Sequence, residues 1–373
     1  MAIQTLRKSE QVIQTLRSLY EAYGYRMFRM SKFEAYDFYT TNRDFLAEGP
    51  IITFSDTDGK LLALKPDITL SIVKDTRATF AQPEKVYYHE SVYRVSRDVR
   101  AYKEIQQLGL EYIGAVTPYV NAELVLLAAK SLRVIGEGFA LDVSHMGFLT
   151  GLMESFTAPR ADKERIQACI GKKSVHELKG ILSALDVPAA VANGLVTLTG
   201  LSGGMEDVLE QARALVVNDT MHAAYKELKL LSDTLAGSPL MKSLTLDFSI
   251  INDVKYYNGL LMRGYVDGVP RAVLSGGRYD PLLTRMGKRG LQAIGFAIGC
   301  DEVERYLKEA PARRYDTVVL YDDRSDYGVL TRLVETLADR GQRVYAAENP
   351  PEGTYETCIR VVGKETREEK KPC

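Results

Sequence analysis

The sequence predicts an α+β protein: an antiparallel sheet flanked by helices, with a helical insertion and a small C-terminal α/β module. Three observations predict it. First, segments with strand character recur on both sides of a long helical stretch, among them EKVYYHESVYRV (84–95), QLGLEYIG (107–114), FALDVSH (139–145), SLTLDFSI and RAVLSGG. Second, the composition shifts near residue 155, and from Pro159 to about residue 238 the chain reads as helices: ADKERIQACIG, VHELKGILSAL, GMEDVLEQARALV and HAAYKELKLLSDTLA, separated by Gly, Pro and Ser. Third, the tail reads strand, helix, strand, strand (DTVVLYDD, GVLTRLVETLADRG, QRVYAAE, ETCIRVVG). The implied divisions are 1–155 for the first part of the core, 156–240 for the insertion, 241–310 for the rest of the core and 311–373 for the module.

The elements follow in order. Val12, Ile13, Leu16, Leu19 and Tyr20 sit at helical spacing over 8–23, and Gly24 ends the run. YRMFRMSKFEAYDFY is aromatic-rich and extended in character. ITFSD and KLLALKP are expected to pair as a hairpin across a two-residue Asp58-Gly59 turn. A helix should start after Pro66-Asp67, with Asp67 as its N-cap. Residues 98–106 read as a polar loop and 118–135 as a long apolar-periodic helix. DVKYYNG (253–259) reads as strand, with Tyr256 and Tyr257 on opposite faces. GFAIGCDEVERYL runs from strand into helix, and the last ten residues, KETREEKKPC, are charged enough to fray.

Bulk properties exclude several classes. With 46% hydrophobic and 26% charged residues, the chain has the balance of a soluble globular protein. Its 373 residues suit two or three domains, because single cores seldom exceed roughly 250–300 residues. No apolar run approaches the roughly 20 residues of a membrane span, and the N-terminus lacks a signal peptide's apolar region, so a cytoplasmic location is expected. A net charge of -1 argues against a dedicated nucleic-acid binder. Cys169, Cys300, Cys358 and Cys373 form no CxxC pair and fit reduced thiols. His89, His145, His176 and His222 show no metal-ligand spacing, so no metal is expected. P-loop, dinucleotide-binding, hydrolase-elbow and zincin motifs are absent, and no cofactor is expected.

Four stretches carry the chemistry. In LKPDIT (64–69), Asp67 and Thr69 place a carboxylate and a hydroxyl where both can accept from an ammonium group; Asp67 can equally be a plain helix cap. In VYRVSRDVRAYKEIQQLGLEYIG (92–114), Arg94, Arg97, Arg100 and Lys103 suit phosphate recognition or a solvated hairpin. Gln107 and Glu111, four apart on a strand, share one face, which is unusual for a central strand unless something polar binds there. KYYNG sends one of Tyr256 and Tyr257 to the core and offers the other to a pocket, with core packing as the plain reading of both. In LSGGRYDPLL (274–283), Gly276-Gly277 permits a close backbone approach at a tight bend beside a pocket, or a simple turn.

Taken in order over about residues 5–308, these stretches resemble class II histidyl-tRNA synthetases. LKPDIT resembles the LRPE/DxT segment; YRVS through YKEIQQLGLEYIG resembles motif 2 with its QxGxE ending; KYYNG resembles the end of RGLDYYxG; SGGRYDPLL and GFAIGCDEV resemble the GGRYDxL segment and motif 3; LDVSHMGFL resembles a family strand-to-helix junction. The resemblance implies a class II core with a truncated anticodon-binding-like module. It implies that Asp67, Thr69 and Gln107 hold the α-amino group of histidine, and that Glu111, Tyr257 and Tyr279 contact its imidazole. It also implies an impaired ATP side. Arg94 is kept, but Ser96 replaces the motif 2 acid, Asn252 stands for the catalytic Arg and Glu302 for the motif 3 Arg.

A histidine pocket beside a vestigial nucleotide site is similar to the regulatory subunits of short-form ATP phosphoribosyltransferase in histidine biosynthesis. This resemblance implies no catalysis by the chain itself, a short catalytic subunit as partner, histidine as ligand, a homodimer or higher hetero-oligomer, and no use for tRNA. The alternative is a histidine–tRNA ligase, which the retained Arg94, the cations of the 97–103 loop and the nearly complete amino-acid pocket would serve.

Overall fold

The computed structural model describes residues 7–46, 49–95, 101–185, 187–251, 256–307, 315–351 and 355–369. The chain divides into two compact units, one of residues 12–306 and one of residues 307–373 with 1–11.

α1 (Lys8–Ala22), which belongs to the larger unit from Val12 onward, buries Leu16 and Tyr20 and is followed by Gly24 at φ +81, a left-handed exit that favours glycine. Next come β1 (Arg26–Met27) and β2 (Phe33–Ala35). The extended reading fails directly afterwards, because Tyr36–Thr41 is a short helix, α2. Tyr39 is fully buried there, so burial of an aromatic ring outweighs its strand propensity. β3 (Thr53–Ser55) and β4 (Leu61–Leu64) pair antiparallel as expected, but across five residues rather than two. The Asp56 side chain accepts from the N–H groups of Asp58 and Lys60 and closes its own turn, with Gly59 at φ +78.

α3 (Thr69–Asp75) leads to the long hairpin of β5 (Glu84–Val95) and β6 (Tyr102–Gly114). β6 starts earlier than its apolar pattern suggested, because exposed polar side chains such as Lys103 and Glu104 do not hinder backbone pairing with Val95–Tyr93. α4 (Pro118–Ile135) is capped by the Thr117 hydroxyl, which accepts from Val120 N. β7 (Phe139–His145) and α5 (Met146–Glu154) follow. The helical stretch comprises α6 (Arg160–Gly171), α7 (Val175–Ala184), α8 (Ala189–Gly200), the short strand β8 (Ser202–Gly204), α9 (Met205–Arg213) and α10 (Asp219–Leu235). β9 (Leu244–Asp247), β10 (Leu260–Val266), β11 (Leu274–Arg278), α11 (Asp280–Arg285), β12 (Gln292–Gly299) and α12 (Cys300–Tyr306) complete the unit.

Nine strands form one sheet in the order β1-β5-β6-β12-β11-β10-β7-β9-β8. Every pairing from β5 through β7 is antiparallel; β1 joins β5, and β9 joins β7, in parallel. The register sets Glu111 of β6 opposite Gly295 of β12, and Tyr88 of β5 opposite Gly109. A Cβ at Gly295 would fall 1.7 Å from Glu111 Oε2, so only glycine leaves room for that carboxylate.

The smaller unit holds β13 (Thr317–Leu320), α13 (Tyr327–Asp339), β14 (Val344–Ala347), β15 (Thr357–Val362) and β16 (Glu365–Glu369), in the sheet order β14-β13-β15-β16. α13 is capped by Asp326 and packs Leu330 and Leu337 against Val319 and Val361. The expectation of a frayed end is corrected at β16, which pairs antiparallel with β15 around Gly363 (φ +56). A charged edge strand needs no apolar face to make its ladder, and charge discourages pairing with other chains.

Candidate functional site

A cavity of about 340 Å³ opens on one face of the large sheet. All six residues expected at the amino-acid pocket line it: Asp67, Thr69, Gln107, Glu111, Tyr257 and Tyr279. Strand alternation puts Gln107 and Glu111 on the same face of β6. The start of α3 supplies Asp67 and Thr69, and the turn between β11 and α11 supplies Tyr279.

Glu111 is the most constrained of these groups, at 3% exposure. Its Oε1 accepts from the Thr69 hydroxyl at 3.0 Å and its Oε2 from the Tyr279 hydroxyl at 2.7 Å. Burial raises its pKa to about 8, although the two hydroxyl donors favour the charged form; the nearby Asp67 adds to the rise. Burial also holds the Asp67 carboxyl above its ordinary value, opposed by the Arg94 guanidinium and by the Leu70 and Thr69 N–H groups. Asp67 Oδ1 accepts from Leu70 N at 2.9 Å, so the cap and the pocket readings of this residue both hold geometrically. The hydroxyls of Tyr257 and Tyr279 are pushed up by burial, and by the Glu111 charge, so both stay protonated donors.

Arg94 also lines the cavity. Its Nε donates to Pro66 O at 2.6 Å and its Nη2 lies 3.5 Å from Asp67 Oδ2. Glu302 is not among the described residues of the lining; on α12 its carboxylate engages Arg305 Nη1 at 2.9 and 3.1 Å. Ser96 and Asn252, like Arg97 and Arg100, lie outside the described residues.

The strand reading of DVKYYNG (253–259) is corrected over residues 256–259, while residues 253–255 lie outside the described ones. Tyr256 and Tyr257 precede β10 in a turn and both line the cavity, with ring centroids 4.5 Å apart. Without a strand's alternation, neighbouring side chains need not diverge. Tyr88, Phe45 and Ser275 line the cavity as well and were not singled out. For Tyr88 there was a signal: pairing across the β5–β6 hairpin puts it opposite Gly109 on the Gln107–Glu111 face, where a Cβ on residue 109 would strike its hydroxyl at 2.4 Å. Phe45 comes from a 3-10 turn that left no trace in the periodicity.

The sheet order and its polar cavity define a class II synthetase core. A family model, Histidyl-tRNA synthetase, matches residues 2–303. A relative from Geobacter sulfurreducens, named ATP phosphoribosyltransferase regulatory subunit, is 30% identical over 335 residues, 87% of this chain and 76% of that one. A Bacillus halodurans structure named ATP phosphoribosyltransferase regulatory subunit/histidyl-tRNA synthetase aligns with a TM-score of 0.80 and 22% identity, covering 95% of this chain and 94% of that one. The ATP phosphoribosyl transferase (HisG:HisZ) complex from Thermotoga maritima contains a chain that aligns with a TM-score of 0.60 and 19% identity, covering 78% of this chain and 96% of that one. The chain belongs to the histidyl-tRNA synthetase family, within its group of ATP phosphoribosyltransferase regulatory subunits.

Proposed function

We infer that this chain binds free histidine in the cavity and, when histidine is bound, restrains a short ATP phosphoribosyltransferase catalytic subunit that it otherwise activates. The observation that carries the reading is Glu111, a buried carboxylate held between Thr69 and Tyr279 on a cavity wall. A buried acid with a pKa near 8 offers an imidazole a proton or accepts one from it, whichever ring nitrogen faces it. Tyr257 supplies a second hydroxyl beside the ring. Thr69 donates to Glu111, so its oxygen remains an acceptor that an ammonium group would share with the neighbouring Tyr256 hydroxyl, and Asp67 and Gln107 are the further acceptors. A ligand lacking those groups would leave buried polar atoms unpaired, the strongest form of rejection available to a small site.

The nucleotide side supports regulation rather than chemistry. Where a synthetase carries the motif 3 Arg, this chain has Glu302, and that carboxylate is already paired with Arg305. Loss of one electrostatic contact to the transition state typically costs about 3–4 kcal/mol. Among the described residues no helix is long and apolar enough to cross a membrane, and a cytoplasmic place beside the biosynthetic enzyme suits the reading. The assembly is a homodimer or a hetero-oligomer with the catalytic subunit.

The test is steady-state turnover of the catalytic subunit alone, with this chain, and with this chain plus histidine. Turnover should rise on adding the chain and fall on adding histidine. Turnover indifferent to the chain contradicts the reading. One observation favours the alternative, a histidine–tRNA ligase: Arg94 still lines the cavity. Histidine-driven ATP–pyrophosphate exchange would establish that alternative.

A further inference from the structure

Glu227 lies on α10, outside the lining of the cavity, yet three elements converge on it. Asn121 Nδ2 of α4 donates to Oε1 at 2.7 Å. His145 Nε2, at the end of β7, stands 3.4 Å from Oε2, and Arg278 Nη1 of β11 stands 3.8 Å from Oε1. His145 Nδ1 accepts from Gly147 N at 3.0 Å, which fixes the ring with Nε2 as the nitrogen turned to Glu227. Burial acts to raise the Glu227 pKa, but His145, Arg278 and Asn121 together outweigh it and hold the carboxyl below its ordinary range. Glu227 is therefore a charged anchor at neutral pH.

Arg278 carries the connection onward. Its Nε donates to Asp280 Oδ2 at 2.8 Å. The same Oδ2 accepts from Asn258 Nδ2 at 3.0 Å, while Oδ1 accepts from Ala293 N at 3.0 Å. Asn258 N in turn donates to Arg278 O at 3.0 Å, and Asp280 N donates to Asn258 Oδ1 at 3.2 Å. A Cβ at Gly259 would fall 2.8 Å from Arg278 Cδ, so the arginine is packed directly on the chain beside Asn258. Tyr257 immediately precedes Asn258, and Tyr279 stands between Arg278 and Asp280. Tyr257 and Tyr279, two of the four tyrosines that line the cavity, are thus held by one clasp, and the far end of the clasp is a helix of the insertion.

We propose that Glu227 is a positioning residue for the ligand: through Arg278, Asp280 and Asn258 it fixes Tyr257 and Tyr279, so that α10 and the cavity wall move together. The proposal rests on the reading of the cavity as a histidine site. It gives that site a route of regulation, because a partner that shifts α10 alters histidine affinity, and histidine by the same linkage alters the partner's affinity.

The experiment is calorimetric titration of histidine into the full-length protein and its Glu227→Gln, Arg278→Lys and Tyr257→Phe variants, and into the Glu227→Gln/Tyr257→Phe double variant, with thermal unfolding of each. Gln keeps an acceptor for Asn121 and removes the charge that faces Arg278. Affinity in Glu227→Gln should fall roughly 2- to 30-fold, with Arg278→Lys moving the same way. The double variant should lose less than the product of the single losses, because both act on one wall; a merely structural role would give independent losses that track the melting temperature. Unchanged affinity in both Glu227→Gln and Arg278→Lys overturns the proposal, as do fully multiplicative losses. A wild-type protein that gives no histidine heat overturns the functional reading beneath it instead.

Discussion

The two ends of the cavity are built differently. At the Glu111 end, the walls are strands β6 and β12, the carboxylate fits only because residue 295 is glycine, and both oxygens already have hydroxyl donors. At the Arg94 end, the guanidinium is turned onto the protein's own Pro66 carbonyl and Asp67 carboxylate. The first end is a rigid polar socket whose remaining hydrogen-bonding capacity faces the cavity. The second has a cation that local partners already neutralise. One cavity thus holds a tightly packed carboxylate socket at one end and, at the other, a cation engaged by the protein's own carbonyl and carboxylate.

The contrast breaks most directly at Glu111. Glu111→Ala should weaken histidine binding by at least about 100-fold, since it removes the ring's partner and strands two hydroxyls; equilibrium dialysis with labelled histidine measures this, and a loss under about threefold means the socket is not the binding end. Next comes Gly295→Ala. The new Cβ would occupy the space of Glu111 Oε2, and thermal unfolding should show a loss of about 1–3 kcal/mol together with weakened binding. Stability equal to wild type would show that the sheet yields more easily than its register suggests.

How much of this contrast was legible beforehand depends on what each feature rests on. The Glu111 end was readable because strand alternation is a strict period of two, so Gln107 and Glu111 had to share a face. The helices from Arg160 to Leu235 were readable from their apolar periodicity and breaks. Tyr256 was misplaced because its strand pattern sits in a turn, where side-chain direction follows tertiary contacts. α2 was missed because six residues give too little periodicity to oppose aromatic strand propensity. β16 was missed because edge pairing is a backbone property that a charged sequence does not reveal. The clasp around Arg278 was invisible for a further reason: Glu227 and Arg278 lie 51 positions apart (278 minus 227), and nothing local marks them as partners.

Smaller effects sharpen the comparison. Glu111 has its pKa raised from 4.5 to about 8 in the folded protein, so this group's contribution to stability is full below pH 4.5 and is lost as pH rises to about 8. Glu111→Gln should therefore unfold at a higher temperature, relative to wild type, at pH 8.5 than at pH 5; melting curves at the two values test the sign, and a gap that shrinks with pH refutes the assigned burial. Least of all, Glu302→Ala should change stability by less than about 1 kcal/mol, because its pair with the exposed Arg305 is a surface one, and should leave histidine affinity unaltered.

The most direct test of the central claim is calorimetric titration of histidine into the purified full-length protein across pH 6.5–9.5. Between the imidazole's own pKa of about 6.5 and the Glu111 value of about 8, acid and ring together hold one proton before and after binding, so affinity should be nearly flat. Above about pH 8 binding must take up that proton and, as the ligand's own α-amino group deprotonates, a second one, so affinity should fall by at least roughly tenfold per pH unit. Saturable one-site binding with that profile is the predicted result; no heat at any pH, or an affinity that rises above pH 8, would contradict the account.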